Sequence, residues 1–193
     1  MNISEELKKL QEQIEVNPKL KSIVEKIEQF ANGPGAYTLA MCIANGPQPA
    51  QREQAFITRL CKKVGWFEVP EVRHIKGSNP FDIHSGPVEW LESESGIGLT
   101  PLWMEILGPK KTFAALAHEL GHIIHGDSLE LLNVRRRQEV QADAFAASLG
   151  YAEHLADALD DISFSDKHDW WDVHAPIKER IAYLRRQQFD LSR

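Results

Sequence analysis

The sequence predicts an α+β fold, and three observations carry that prediction. The first third of the chain repeats apolar residues at helical spacing. From Val69 the texture shortens into strand-like runs broken by Gly and Pro. After Pro101 helical periodicity returns and continues to about Leu149. At 193 residues, with 42% hydrophobic and 26% charged residues, the chain is long enough for one domain with a sizeable core, or a core plus a helical extension. We expect an N-terminal helical region over 1–64 and a second region over 65–193.

Each element has its own local reason. Ser4 to about Phe30 reads as one or two charged helices, with Leu7, Leu10, Ile14, Leu20, Ile23 and Ile27 on the apolar stripe and a break at Asn17-Pro18. Packing or dimerisation is the plainer role of these helices, so they offer a surface for homo-oligomers; a regulatory prosegment is the sharper reading. Ala31–Gly35 reads as a turn, Ala36–Ala44 as a helix, and Pro49–Val64 as a helix with Phe56, Leu60 and Val64 inward. Glu71–Ile75, Phe81–His84, Val88–Leu91 and Gly96–Thr100 are strand candidates. Pro101–Leu107 reads as a short helix ahead of a longer one that ends at Gly126, a good left-handed cap.

That longer helix carries Ala117-His118-Glu119-Leu120-Gly121-His122, the pattern H-E-x-x-H. Four residues make a little over one helical turn, so His118 and His122 share a face and can reach one ion. Glu119 stands beside the first histidine, where it can take a proton from water and pass it to a leaving amine. Phe113, Leu116, Leu120, Ile123 and Ile124 recur at three- and four-residue steps, which places the motif on a buried helix. The plain alternative is a core helix with two satisfied histidines.

A catalytic zinc site takes three protein ligands and keeps one position open. The metzincin completion needs Gly and His three and six residues past the second His, and His125 and Ser128 stand there instead. The next helix, about Ser128–Leu149, contains Glu139-Val140-Gln141-Ala142-Asp143. Glu139 and Asp143 share a face. Glu139 is the candidate third ligand, and Asp143 the group that holds the far ring nitrogen of a ligand histidine. Ala142, Ala144, Ala146 and Ala147 let this helix lie close to the motif helix. The plain alternative for Glu139 is a solvated carboxylate pairing with Arg135 or Arg136.

With these residues in hand, the chain resembles the gluzincin zinc metallopeptidases, most closely the HtpX and CAAX-prenyl-protease type. Three elements carry the resemblance over roughly Val69–Leu184. The first is Ala117–His122. The second is Glu139–Asp143, similar to that family's E-x-E-A-D block with Gln141 in place of the inner Glu. The third is His174-Ala175-Pro176-Ile177-Lys178-Glu179-Arg180-Ile181, similar to its H-P-x-x-x-x-R-I segment with Ala175 added. Glu139–Ala146 also fits the helix of the ImmA/IrrE-type gluzincins. The resemblance implies a zincin-like fold, with a small mixed sheet over the motif helix and an edge strand that pairs with an extended peptide. It also implies one Zn²⁺ per chain, held by His118, His122 and Glu139. Glu119 is then the general base. His174 and Arg180 are candidates for stabilising the developing oxyanion, each with a structural alternative: a helix N-terminal turn for His174 and a salt bridge for Arg180. Tandem Trp170 and Trp171 suit either substrate side chains or the rim of the core.

Composition narrows the partners. A net charge of −6 argues against phosphate attraction, so no nucleic acid is expected. No apolar run approaches the ~20 residues that a membrane span requires, and the N-terminus lacks an apolar signal region. The expected setting is the cytoplasm. Cys42 and Cys61 have no metal-ligand spacing and read as reduced thiols, an inhibitory zinc-binding Cys being the lesser alternative. His125 reads as a solvent-facing helix end; His74, His84, His154 and His168 carry no spacing signal. The resulting expectation is a zinc metalloendopeptidase acting on a protein or peptide substrate. The alternatives are an ImmA/IrrE-type regulatory protease that cleaves one repressor and a non-catalytic, metal-stabilised interaction module.

Overall fold

The computed structural model of the chain describes residue 12 and residues 14–76, 83–86, 96–126, 132–162 and 176–190. Helix α1 (Pro18–Ala31) starts at the predicted break. Asn17 Oδ1 accepts from the backbone N–H groups of Lys19 (3.1 Å) and Leu20 (3.3 Å), and Pro18, which has no N–H to lose, takes the first-turn position. Helix α2 (Pro34–Asn45) follows a two-residue turn.

Strand β1 (Gln48–Pro49) takes Pro49, where the sequence predicts the start of a helix, and α3 (Gln51–Val64) begins two residues later. Phe56 and Leu60 of α3 are buried as expected, joined by Ile57 and Cys61. Val64 is not inward: it is 38% exposed, because the last turn of α3 runs beyond the packed face before Gly65 ends the helix.

Strands β2 (Glu71–His74), β3 (Ile83–Gly86) and β4 (Gly96–Leu99) complete a four-stranded mixed sheet of order β1-β2-β4-β3. β2 and β4 run parallel, with Val72 opposite Ile97, while β1 and β3 pair antiparallel at the edges. All four residues of β4 are buried, as a central strand covered on both faces requires. The strand expected at Val88–Leu91 lies outside the described residues.

Helix α4 (Pro101–His125) is the spine of the molecule. It is broken at Gly108, whose φ of 71° and ψ of 171° leave the helical region, and it restarts at Pro109. The short helix Pro101–Leu107 and the motif helix are therefore the two halves of α4. Gly126 closes it with φ 65° and ψ 39°, the left-handed cap that its position after the last apolar residue predicts. Helices α5 (Leu132–Ser148), α6 (Ala152–Ile162) and α7 (Ile177–Asp190) follow.

The main core draws on every layer: Ile57 and Leu60 of α3, Val72, Ile97 and Leu99 of the sheet, Leu116 and Leu120 of α4, and Leu155 and Leu184 of α6 and α7. It thus draws on residues before and after Val64. A smaller cluster around Trp103, Ile106 and Leu107 receives Ile23 of α1. Cys42 and Cys61 are buried free thiols. No described helix is long and apolar enough to cross a membrane.

Helices α4 and α5 approach closely at Gly121. A Cβ built there would stand 3.0 Å from Ala142 Cα and 3.2 Å from Phe145 Cβ on α5. The Ala142 contact is with backbone, which cannot swing aside. Gly121→Ala gains about 1 kcal/mol of helix propensity but overpacks the contact, at about 1–3 kcal/mol. We expect a net loss of about 1 kcal/mol in urea unfolding. We also expect weaker metal binding, since α5 and its carboxylates are pushed away from α4; unchanged metal affinity would show that this contact does not set the site.

Candidate metal centre

Three helices build the site. The α4 motif turn presents His118, Glu119 and His122. Helix α5, held close by the small surfaces of Gly121 and Ala142, presents Glu139 and, one turn on, Asp143. Helix α7 sends Arg180 inward from its first turn, anchored by buried Ile181 and Leu184.

His118 and His122 face each other with their Nε2 atoms 3.0 Å apart and their rings edge to face. Glu139 Oε2 lies 3.4 Å from His118 Nε2, and Oε1 lies 3.7 Å from His122 Nε2. One ligand atom from each of the three residues falls within 4.8 Å of the others, the only such group of metal-ligating side chains among the described residues. On the far side of the first ring, His118 Nδ1 is 3.0 Å from Asp143 Oδ1. That separation suits a hydrogen bond, although the N–H direction is off the line to the oxygen. Asp143 is fully buried, and Glu119 is 9% exposed.

Arg180 ties the two carboxylates together. Its Nε and Nη2 donate to Asp143 Oδ2 and Oδ1, each at 2.8 Å, and Nη1 sits 2.7 Å from Glu139 Oε2. This fork-to-carboxylate geometry fixes both direction and distance. Burial alone would raise the Asp143 carboxyl, but the Arg180 charge and hydrogen bonds outweigh it and hold Asp143 below its ordinary range. The Asp143 and Glu139 carboxylates in turn keep the buried guanidinium protonated. The position of Arg180 was visible in the terminal segment of the sequence; the partners it chooses were not.

The donor set fits a divalent cation with a preference for nitrogen and oxygen ligands. Two imidazoles and one carboxylate converge, a carboxylate supports the rear of one imidazole, and the enclosure favours positive charge. The last point shows in His118. Burial pushes its pKa down, but the adjacent Asp143 and Glu139 carboxylates more than offset this and raise it from 6.5 to about 9. His125 stands apart at the exposed end of α4, its Nδ1 2.6 Å from the Gly121 carbonyl. His174, Trp170 and Trp171 lie outside the described residues.

These features define a zincin-like fold around a candidate metal site, and comparison with known proteins agrees. Residues 128–188 match the family model described as Peptidase family M48. The matched stretch includes Glu139, Asp143 and Arg180 and begins after the motif helix, so it supports the assignment independently of His118, Glu119 and His122. The fold is also similar to the crystal structure of S. mikatae Ste24p, with a TM-score of 0.53 at 16% sequence identity. That similarity covers 94% of this chain and 66% of that chain, so the chain spans just under two thirds of its relative's length. No curated protein matched the sequence. The chain is thus similar to the HtpX/CAAX-prenyl-protease type of zincin metallopeptidase, as its motifs imply.

Proposed function

We propose that the chain is a zinc-dependent metalloendopeptidase. The observation that carries this reading is the convergence of His118, His122 and Glu139 on one point, with Glu119 on the same turn of α4. His118, His122 and Glu139 hold the ion; Asp143 and Arg180 hold the ligands. Zinc, when bound there, supplies Lewis-acid polarisation of a peptide carbonyl and lowers the pKa of water. Glu119 takes the proton from the attacking water and delivers it to the departing amine. The enclosure of Glu119 limits competing bulk water.

Substrate is held by the sheet. Among the described residues β3 is an edge strand, and it packs against α4. An extended peptide pairing with β3 is positioned through main-chain hydrogen bonds, without a demand for one side-chain sequence. His174 is proposed as the donor to the developing oxyanion. Arg180, occupied with two carboxylates, is proposed as the group that positions Glu139 and Asp143, which favours the salt-bridge alternative raised for it. The cytoplasm is the setting this reading assumes.

Glu119→Gln tests the proposal with little change of shape. It should retain stoichiometric zinc while peptide hydrolysis falls by about 10²–10⁴. If purified protein binds no zinc and the variant hydrolyses peptides at the wild-type rate, the assignment is wrong.

A further inference from the structure

A cavity of about 340 Å³ lies outside the metal centre, where the start of α2, the start of α3, the end of β2 and the broken part of α4 meet. It exists because Gly108 and Pro109 interrupt α4 beside it. We propose that this cavity is a binding site for a primary alkylammonium group.

The Glu53 side chain lines the cavity and the residue is only 4% exposed, yet among the described residues no hydrogen bond or ion pair reaches its carboxylate. A carboxylate on a cavity wall is best met by a group that brings positive charge and hydrogen-bond donors. The neighbouring His74 does not supply a full countercharge. Burial lowers its pKa, and the Glu53 charge only partly opposes that. His74 Nδ1 is itself buried and has no hydrogen-bond partner among the described residues. In the tautomer protonated at Nε2, this atom is a second acceptor. The cation on the wall, Arg52, places its guanidinium 5.0 Å over the Phe113 ring.

Two hydroxyls on the wall point the same way. Thr112 Oγ1 donates to the Gly108 carbonyl at 2.8 Å, and Thr38 Oγ1 donates to the Pro34 carbonyl at 3.2 Å. Both hydroxyl protons are committed, so each oxygen has only lone pairs left to offer. A ligand for this site must bring donors and positive charge. An ammonium brings three donors on one atom. A bare metal ion does not suit, because Glu53 and His74 join no converging group of ligand atoms among the described residues. The volume is also roughly ten times the share of liquid that one water occupies, about 30 Å³. Met104 and Phe113 provide apolar wall for a short alkyl stem.

The ammonium has two sources, a free alkylamine or the side chain of a peptide lysine, and one titration separates them. The full-length chain, labelled with ¹⁵N, is titrated with n-pentylamine, with Nα-acetyl-lysine amide and with Nα-acetyl-norleucine amide. Saturable shifts around residues 35, 38, 53, 74 and 108 are expected with an amine and none with norleucine. Binding of pentylamine alone assigns the free amine; binding of the lysine amide as well admits a peptide side chain. Glu53→Gln, nearly the same shape, should weaken binding about tenfold or more, the loss expected for a charge-assisted hydrogen bond. Thr112→Val, which removes one acceptor and keeps the shape, should weaken it less. Stoichiometric zinc should leave the affinity unchanged. No saturable shift with either amine, or equal affinity in Glu53→Gln, would overturn the proposal, whatever the outcome for proteolysis. If Glu53→Gln does not fold, Thr112→Val decides between the same alternatives.

Discussion

Replacing Arg180 with leucine is expected to cost about 3–5 kcal/mol of stability at neutral pH, the range for removing one partner from a buried charge network. Arg180 is 6% exposed and makes three short contacts, two to Asp143 and one to Glu139. Its loss removes the cation that both buried carboxylates share. The dependence on pH gives the prediction a second test. In the wild type, Arg180 outweighs burial and depresses the Asp143 carboxyl. Its contribution is fully present above the unfolded value of about 3.9 and is lost as pH falls through the lower folded value. Without the guanidinium, the His118 charge and contact still oppose burial, but the depression of the Asp143 carboxyl is smaller. Acidification from pH 7 to below 4 should therefore cost the variant less stability than it costs the wild type, so the gap between them narrows. Urea unfolding at pH 7 and pH 3 measures both effects. Arg180→Lys should fall between, since an ammonium cannot hold two oxygens of one carboxylate in a planar fork. A loss below 1 kcal/mol that does not change with pH would show that Arg180 does not sustain the pair.

Glu139→Ala is expected to abolish metal retention and peptide hydrolysis while leaving the protein folded. The carboxylate is the member of the metal-ligating group that comes from α5, and its oxygens stand 3.4 and 3.7 Å from the two imidazoles. Removing it leaves two ligands, fewer than a catalytic zinc site uses. Affinity should fall by more than the about 10–100-fold that a supporting residue costs. Arg180 keeps both hydrogen bonds to Asp143 in this variant, so the α5–α7 contact survives. Metal analysis after dialysis, beside circular dichroism, separates loss of zinc from loss of fold. Wild-type zinc content in folded Glu139→Ala would remove Glu139 from the proposed ligand set.

Most of what local sequence encodes was legible before any coordinates. Asn17-Pro18 announces the cap of α1 because a side-chain oxygen and a missing N–H act within four residues. The i, i+4 spacing places His118 beside His122, and Glu139 on the same face as Asp143, because helical pitch alone decides those neighbours. Gly126 marks the end of α4 for a similarly local reason. The error at Val64 has a tertiary origin. Periodicity places that side chain on the apolar stripe, but only the packed structure shows where the core stops along α3.

The chain's own pattern determined the motif helix, the pairing of its two histidines and the carboxylates of the helix that follows. Only the tertiary structure decided that Gly121 brings α4 and α5 into contact and that Arg180 bridges Glu139 and Asp143. It alone also placed β3 on the edge beside α4 and set Glu53 and His74 against one cavity. The first group depends on neighbours within a turn or two, where backbone geometry leaves few choices. The second depends on residues tens of positions apart, whose contacts exist only after burial and close packing have selected one arrangement of the helices.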